Sequence, residues 1–381
     1  MRQAILDTVL STLCLSQALF MIKHSNFKRR WKDVKDDIIE GFNKIHANEK
    51  VVNGLYTEQV EQKLKTASKR KFAVLCRSGS HAITMSLLAN GIGPGDKVLV
   101  PNYSCVAVLS SVMVTGCVPV FCEVDVYGSL DTSLLDKFKN KDIKAILASG
   151  LYGDVHDHDS VKSFCIENNV KYINDAAQSQ FAEHKGTNSL ELGDTVCMSF
   201  ADNKCIPVAG TFGAMLTDNE SVYKNMRHLR KNGKASREEG FSMAGYSSHP
   251  EEMFAVQILA SWKNFDKWQK RKLQISKMYD EAFAGKIRTR PSPCYSKWNG
   301  HKYAILVNDK FTAYERLLSL GVETEKHYVD NFSKLKFTPT DRKTYPVTDM
   351  FIQKSLTLPN NPHMTNSEVD EVITKVIKSE Y

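Results

Sequence analysis

The chain has 381 residues, 42% hydrophobic and 25% charged, a balance that excludes wholesale disorder and suits two packed lobes. Its 51 basic and 43 acidic side chains leave a net charge of +8, spread along the chain, which favours a small anionic ligand or nothing in particular, since a nucleic-acid protein would concentrate its charge. No uncharged apolar run reaches the roughly 18 residues of a membrane span. Nine cysteines without CxxC spacing indicate neither a disulfide framework nor a metal site, so a reduced, soluble, cytoplasmic protein is expected.

Residues 1–20 form an apolar stretch interrupted by Asp7, Thr8, Ser11, Thr12, Ser16 and Gln17. It lacks the clean core and cleavage site of a secretory signal and reads as a loosely attached amphipathic extension. Helices are predicted over 30–47 and 57–68. From Phe72 short β-rich runs alternate with helical stretches: FAVLC (72–76), KVLVP (97–101), VPVFCEV (118–124), AILAS (145–149), VKYIND (170–175), VCMSF (196–200) and FGAMLT (212–217). Their spacing suits crossover helices, hence an α/β fold with a mainly parallel sheet flanked by helices. A long helical stretch, 250–283, leads to a smaller α+β unit with strands near 301–307 and 322–328 and a last helix from Ser367. The division expected is an N-terminal arm (1–52), a large domain (53–265), and a crossover helix with a small C-terminal domain (266–381).

Four segments carry possible chemistry. In RSGSHA (77–82) a strand ends, Gly79 permits a sharp turn, and Ser80 is placed to cap a helix whose free N–H groups could hold a phosphate. GIGPGD (91–96) looks like a dinucleotide fingerprint, but it follows a helix and precedes a strand, so it reads as a helix cap and turn. Asp154, His156, Asp157, His158 and Asp159 look metal-like, yet they lie together where a helix begins and acids belong anyway, so no metal is expected. INDAAQ (173–178) and MSFADNK (198–204) put Asp175 and Lys204 at the carboxyl edge of a parallel sheet, where such folds bind ligands. A lysine can condense with an aldehyde, and a carboxylate can keep a ring nitrogen protonated; these are the two groups that pyridoxal phosphate requires.

With these motifs in order, the sequence resembles the sugar aminotransferase family named after DegT, DnrJ, EryC1 and StrS, pyridoxal-phosphate enzymes of fold type I. The resemblance runs from about Asn53 to the C-terminus and rests on NGLYTEQVEQKL (53–64), SGS (78–80), GIGPGDKVLVP (91–101), NDAAQ (174–178), SFADNK (199–204), KHY (326–328) and LTLPNNPHMT (356–365). It implies an aminotransferase that moves an amino group from an amino acid, L-glutamate above all, to a nucleotide-linked keto-deoxy sugar. It also implies a homodimer with shared active sites, no nucleic acid or membrane partner, and pyridoxal 5'-phosphate as cofactor. Lys204 would carry the cofactor and move the substrate proton; Asp175 would face the ring nitrogen and Gln178 the phenolic oxygen. Gly79, Ser80 and Ser199 would hold the phosphate. The alternative is a cofactor-binding protein on the same scaffold that does not transaminate, a sugar dehydratase or a regulator; the dehydratases typically replace the lysine by histidine, and Lys204 stands against that.

The sequence departs from the family in places. Cys105 stands where an aromatic ring usually covers the cofactor, leaving either Cys105 to pack on it weakly or Tyr103 to shift in. In GYSSHP (245–250), Ser247 replaces the asparagine that reaches the partner subunit's phosphate, and His249 replaces an arginine. GTFGA (210–214) replaces GEGGA, and Asn174 replaces a glutamate. The lysine chemistry is untouched by these changes.

Overall fold

The computed structural model describes residues 21–234, 240–339, 341 and 343–379, so the amphipathic extension expected at 1–20 lies outside the described residues. Helices α1 (Phe27–Ala47) and α2 (Leu55–Ser68) precede the sheet. Then come β1 (Phe72–Cys76), α3 (Gly79–Ala89), β2 (Lys97–Pro101), α4 (Val106–Val114), β3 (Val118–Cys122), β4 (Ile143–Ser149), α5 (His158–Asn168) and β5 (Lys171–Asp175). Two short strands, β6 (Glu183–His184) and β7 (Thr187–Asn188), lead to β8 (Thr195–Ser199), β9 (Gly213–Thr217) and α6 (Glu220–Leu229).

The central sheet has seven strands in the order β1-β9-β8-β5-β4-β2-β3. The β8-β5-β4-β2-β3 run is parallel; β9 alone opposes both of its neighbours. Buried on both faces, these strands are continuous apolar runs without alternation, as in FAVLC and AILAS. One face packs Met85, Leu109, Val112 and Phe121 beneath α3 and α4; the other packs Val60, Leu64, Phe200, Phe212 and Ile258. GIGPGD is the turn expected: Gly91 takes φ +78°, which only glycine adopts cheaply, and the Asp96 carboxylate accepts the Gly93 N–H at 2.9 Å.

The helical stretch at 250–283 is two helices, α7 (Glu252–Lys263) and α8 (Phe265–Phe283). Asn264 ends one and begins the other, and its side chain donates back to the Ala260 carbonyl at 3.1 Å. Beyond β10 (Ser296–Lys297), which pairs with β6, strand β11 (Tyr303–Leu306) precedes α9 (Lys310–Ser319), α10 (Pro346–Lys354), β12 (Ser355–Leu358) and α11 (Asn366–Lys378). The strand expected at 322–328 is not formed, and β11 pairs instead with β12. Residues 322–328 make only single bridges, through Val322 and Glu325. The Tyr328 N–H donates to the Tyr103 hydroxyl at 2.7 Å, leaving no ladder to continue.

Candidate active site

Three strand ends meet at one edge of the sheet. The register sets Cys76, the end of β1, opposite Gly213, and Gly213 opposite Ser199, the end of β8. The chain leaving β1 turns at once into α3. Its N-cap is Ser78, whose hydroxyl accepts the His81 N–H at 3.1 Å; Ser80 lies inside the first turn and is not the cap the sequence suggested. Ser78 caps because Gly79 is already helical. Gly79 and Ser80 therefore present backbone N–H groups that the helix itself cannot satisfy, at its positive end.

The cradle is built on missing side chains. A Cβ on Gly79 would stand 2.8 Å from Ser199 Cβ, and one on Gly213 would overlap the Ser78 carbonyl. Ser199 is buried, and its hydroxyl accepts the Ala201 N–H at 3.3 Å. Two glycines thus let a helix start, a buried serine and a third strand converge within reach of one anionic group, as a phosphate requires.

Asp175 ends β5, one strand away from Ser199. Its carboxylate accepts the Ala177 N–H at 3.0 Å and faces the Ser149 hydroxyl at 3.4 Å, but it has no ion-pair partner among the described residues. Burial pushes its pKa up, partly opposed by the Ala177 amide and by Lys204. A buried carboxylate without a cation is costly to charge; the protonated nitrogen of a pyridine ring supplies that cation. Lys204 follows on the turn after β8, closed by its own N–H donating to the Ala201 carbonyl at 2.9 Å. Gln178 is held between lobes: its side-chain oxygen accepts the Tyr152 N–H at 3.1 Å, and its amide nitrogen donates to the Tyr328 hydroxyl. The cradle, the unpaired acid and the lysine fit pyridoxal phosphate.

The sequence brought six residues to this edge: Gly79, Ser80, Asp175, Gln178, Ser199 and Lys204. Cys105 is half-buried and precedes α4 without capping it through its side chain. Tyr103 does not shift towards the site. It is fully buried, bonds Tyr152 Oη at 2.6 Å and stacks on Phe351 at 5.3 Å. Ser247 is exposed within a single chain, whereas the adjacent buried Ser248 accepts the Arg77 N–H at 3.1 Å and bonds His81 Nδ1 at 2.9 Å, next to the cradle. Tyr328 was not singled out, although it ends the KHY motif. Its hydroxyl lies on Gln178, and burial, Cys105 and Asp175 all raise its pKa.

The metal-like cluster has structural work. Asp157 caps α5, Asp154 pairs with Arg290, Asp159 pairs with Lys185 at 2.6 Å, and His156 and His158 bond the Tyr172 hydroxyl. The helix begins at His158. Among the described residues no group of His, Cys, Asp or Glu is arranged to hold a metal ion, and no helix is long and apolar enough to cross a membrane.

The model of the DegT/DnrJ/EryC1/StrS aminotransferase family matches residues 32–377. The chain is 24% identical over 357 residues to the UDP-2-acetamido-2-deoxy-3-oxo-D-glucuronate aminotransferase of Pseudomonas aeruginosa, covering 92% of this chain and 98% of that one. It is 31% identical over 225 residues to the GDP-perosamine synthase of Caulobacter vibrioides, covering 58% and 60% of the two chains. The crystal structure of S. venezuelae DesV in complex with a ketimine intermediate superposes with a TM-score of 0.89 at 23% identity, covering 94% of this chain and 98% of that one. The expected α/β architecture therefore stands, and the chain, whose solved neighbours include forms with pyridoxal phosphate or its aminated form, belongs to the DegT/DnrJ/EryC1/StrS aminotransferase family.

Proposed function

We propose that this protein transfers the amino group of an amino-acid donor, L-glutamate, to the keto group of a nucleotide-linked deoxy sugar. The observation that carries the reading is the buried Asp175 carboxylate, which has no ion-pair partner among the described residues and lies at the same sheet edge as Lys204 and the Gly79–Ser199 cradle. Curated relatives act on sugars linked to different nucleotides, UDP in one and GDP in another, which supports the substrate class.

When bound, the cofactor supplies an aldehyde that accepts the amino group and a ring that withdraws electrons from the bond being broken. The chain's own residues do the rest. The Gly79 and Ser80 amides and the Ser199 hydroxyl bind the phosphate at the N-terminus of α3. Asp175 would hold a proton on the ring nitrogen; a contact ion pair at an effective dielectric near 20 gains roughly 5 kcal/mol before desolvation. Gln178, fixed by Tyr152 and Tyr328, orients the ring through its phenolic oxygen. Lys204 binds the cofactor in the resting state and, once displaced, carries a proton between substrate and cofactor carbons.

The protein acts as a cytoplasmic homodimer in which Ser247 reaches the partner's phosphate. Exposed Val51, Leu55 and Met253, brought together by the Val52–Glu251 bridge beside the cradle, support a partner covering this face. The division into large and small domains near residue 265 is supported by α8. Phe265 packs with Phe200 and Ile258 of the large unit, whereas Ile275, Tyr279 and Phe283 pack with Ile305 and Leu356 of the small one.

The test is a donor and acceptor screen on purified protein, read by mass spectrometry. Glutamate alone should yield one equivalent of 2-oxoglutarate per site, and a nucleotide-linked keto sugar added next should leave as the amino sugar. Failure of every amino donor in a broad panel would refute transfer and leave the cofactor-binding regulator.

A further inference from the structure

A cavity of about 60 Å³ lies against the Lys204 turn, lined by residues of the N-terminal arm, the large unit, α8 and the small unit. Lys204 is shared with the site above, but Gly79, Ser80, Cys105, Asp175, Gln178 and Ser199 do not line it. Its wall is strongly one-signed. Arg30, Lys204, Lys272 and Lys302 border it, and Asp202 is the one carboxylate among the described lining residues. Lys302 is neutralised by Glu325 at 2.7 Å, and Arg30 donates to the Asp202 carbonyl at 2.6 Å. The Lys272 ammonium has no hydrogen bond or ion pair among the described residues, and burial together with Arg30 lowers its pKa.

The wall also carries buried polar atoms without hydrogen-bond partners, His301 Nε2, Asn203 Oδ1 and Asn360 Oδ1, while His24 Nδ1 lies 3.5 Å from the Glu325 carboxylate. His301 is only 3% exposed, and its Nδ1 faces the Cys205 thiol at 3.9 Å. Burial among Lys302, Lys272 and Lys204 keeps its imidazole neutral. With Nδ1 accepting from the thiol, Nε2 carries the ring proton and is a donor with nothing to donate to. Unpartnered buried polar atoms are rare and expensive; the His301 N–H calls for an acceptor, whereas the Asn203 and Asn360 amide oxygens, acceptors themselves, call for a water or a protonated oxygen beside it.

We propose that this cavity binds a small oxyanion, a carboxylate or phosphate group, between Lys272 and His301. Its volume suits such an ion or a few waters, but neutral water leaves the Lys272 charge uncompensated. The anion would join three parts of the chain around the turn that carries Lys204. Asn299 already ties the small unit to the Gln178 and Gln180 carbonyls at 2.9 Å each, so an ion here completes the packing between the lobes. The inference needs only the charges and orphaned atoms, and it stands whether or not the protein transaminates.

Two probes separate the sources, inorganic phosphate and acetate. The thermal midpoint of the full chain is followed against each, in wild type, Lys272→Met, Lys272→Arg, His301→Ala and Ser199→Ala. Ser199→Ala reports binding at the cofactor's phosphate cradle. A rise in midpoint that survives in Ser199→Ala, disappears in Lys272→Met and His301→Ala, and returns in Lys272→Arg is the expected result. A response to phosphate alone would assign the site to phosphate; a response to both assigns it to oxyanions generally. In crystals soaked with selenate, an anomalous peak should lie against Lys272 Nζ. A shift that is lost in Ser199→Ala and retained in Lys272→Met, no shift with either anion, or crystals without that peak would each overturn the proposal. The donor screen above reads the aminotransferase function separately.

Discussion

Replacing Gly79 by alanine tests the cradle with one methyl group. The added carbon would sit 2.8 Å from Ser199 Cβ, 3.2 Å from its hydroxyl and 3.5 Å from its Cα. Comfortable carbon–carbon contact begins near about 3.5 Å, so roughly 0.7 Å must be found. Ser199 cannot easily yield it. It is paired with Gly213 in the ladder, and the next residue donates its N–H to the Phe212 carbonyl at 2.8 Å. The start of α3 is equally fixed, with Ser78 capping His81 and its carbonyl accepting the Ala82 N–H at 3.0 Å. Overpacking of this kind costs about 1–3 kcal/mol, and the higher helix propensity of alanine returns at most about 1 kcal/mol of it. The displaced amides and hydroxyl should also weaken cofactor binding, by roughly tenfold for each 1.4 kcal/mol lost. The assay is titration of the visible absorbance of bound pyridoxal phosphate in Gly79→Ala, with Gly93→Ala as control. Gly93 has open space where its Cβ would go and no positive φ, so it should behave as wild type. Wild-type affinity in a folded Gly79→Ala protein would show that the phosphate lies elsewhere.

Four further outcomes follow from the same geometry. Asp175→Asn should fold and bind the cofactor but turn over about 100-fold more slowly, since losing even half of the 5 kcal/mol attraction moves the ring nitrogen by about two pKa units; unchanged turnover would remove Asp175 from the chemistry. Borohydride should fix the cofactor on the peptide containing Lys204, and recovery of the label on another lysine would overturn that assignment. Cys105→Trp should hold the cofactor tighter by about 1 kcal/mol through added stacking surface; an unchanged dissociation constant would show that another side chain, such as Tyr328, already covers the ring. Stability should fall on acidification below about pH 6.5, because buried His156 is held down to about 3 and His158 to about 4, chiefly by desolvation. The unfolded chain binds those protons first, so His156 removes up to about 1.4 kcal/mol per pH unit across that window and the partly exposed, screened His158 less, and His156→Gln should flatten the acid limb of the thermal-midpoint profile.

The central sheet was legible because its strands are buried on both faces and stand out as apolar runs between polar helices. The small unit was less so. VETEKHY and SLTL are both plausible strands, and local pattern alone does not say which one pairs with YAIL. The choice rests on side chains distant in sequence: the Tyr103 hydroxyl takes the Tyr328 N–H, and Lys302 draws Glu325 to 2.7 Å. The break at Asn264 was missed for a related reason. The hydrophobic period runs through it, and only the change of partner, from Ile258 against the large unit to Ile275 against the small, separates the two helices.

The active-site edge shows where sequence reasoning stops. Asp175 and Lys204 could be placed because each follows a strand that runs in the same direction, so both emerge at the same edge. The cradle could not be built that way, since Gly213 begins a strand running the opposite way. Had β9 been parallel, its first residue would lie at the far edge, and nothing would require a glycine there. Because it is antiparallel, its start meets the ends of β1 and β8, and its missing side chain lets the Ser78 carbonyl pass. The same reversal makes Gly79 and Ser199 close enough that a single methyl group separates them from collision. Strand direction, which no local motif records, therefore decides which glycines belong to the site.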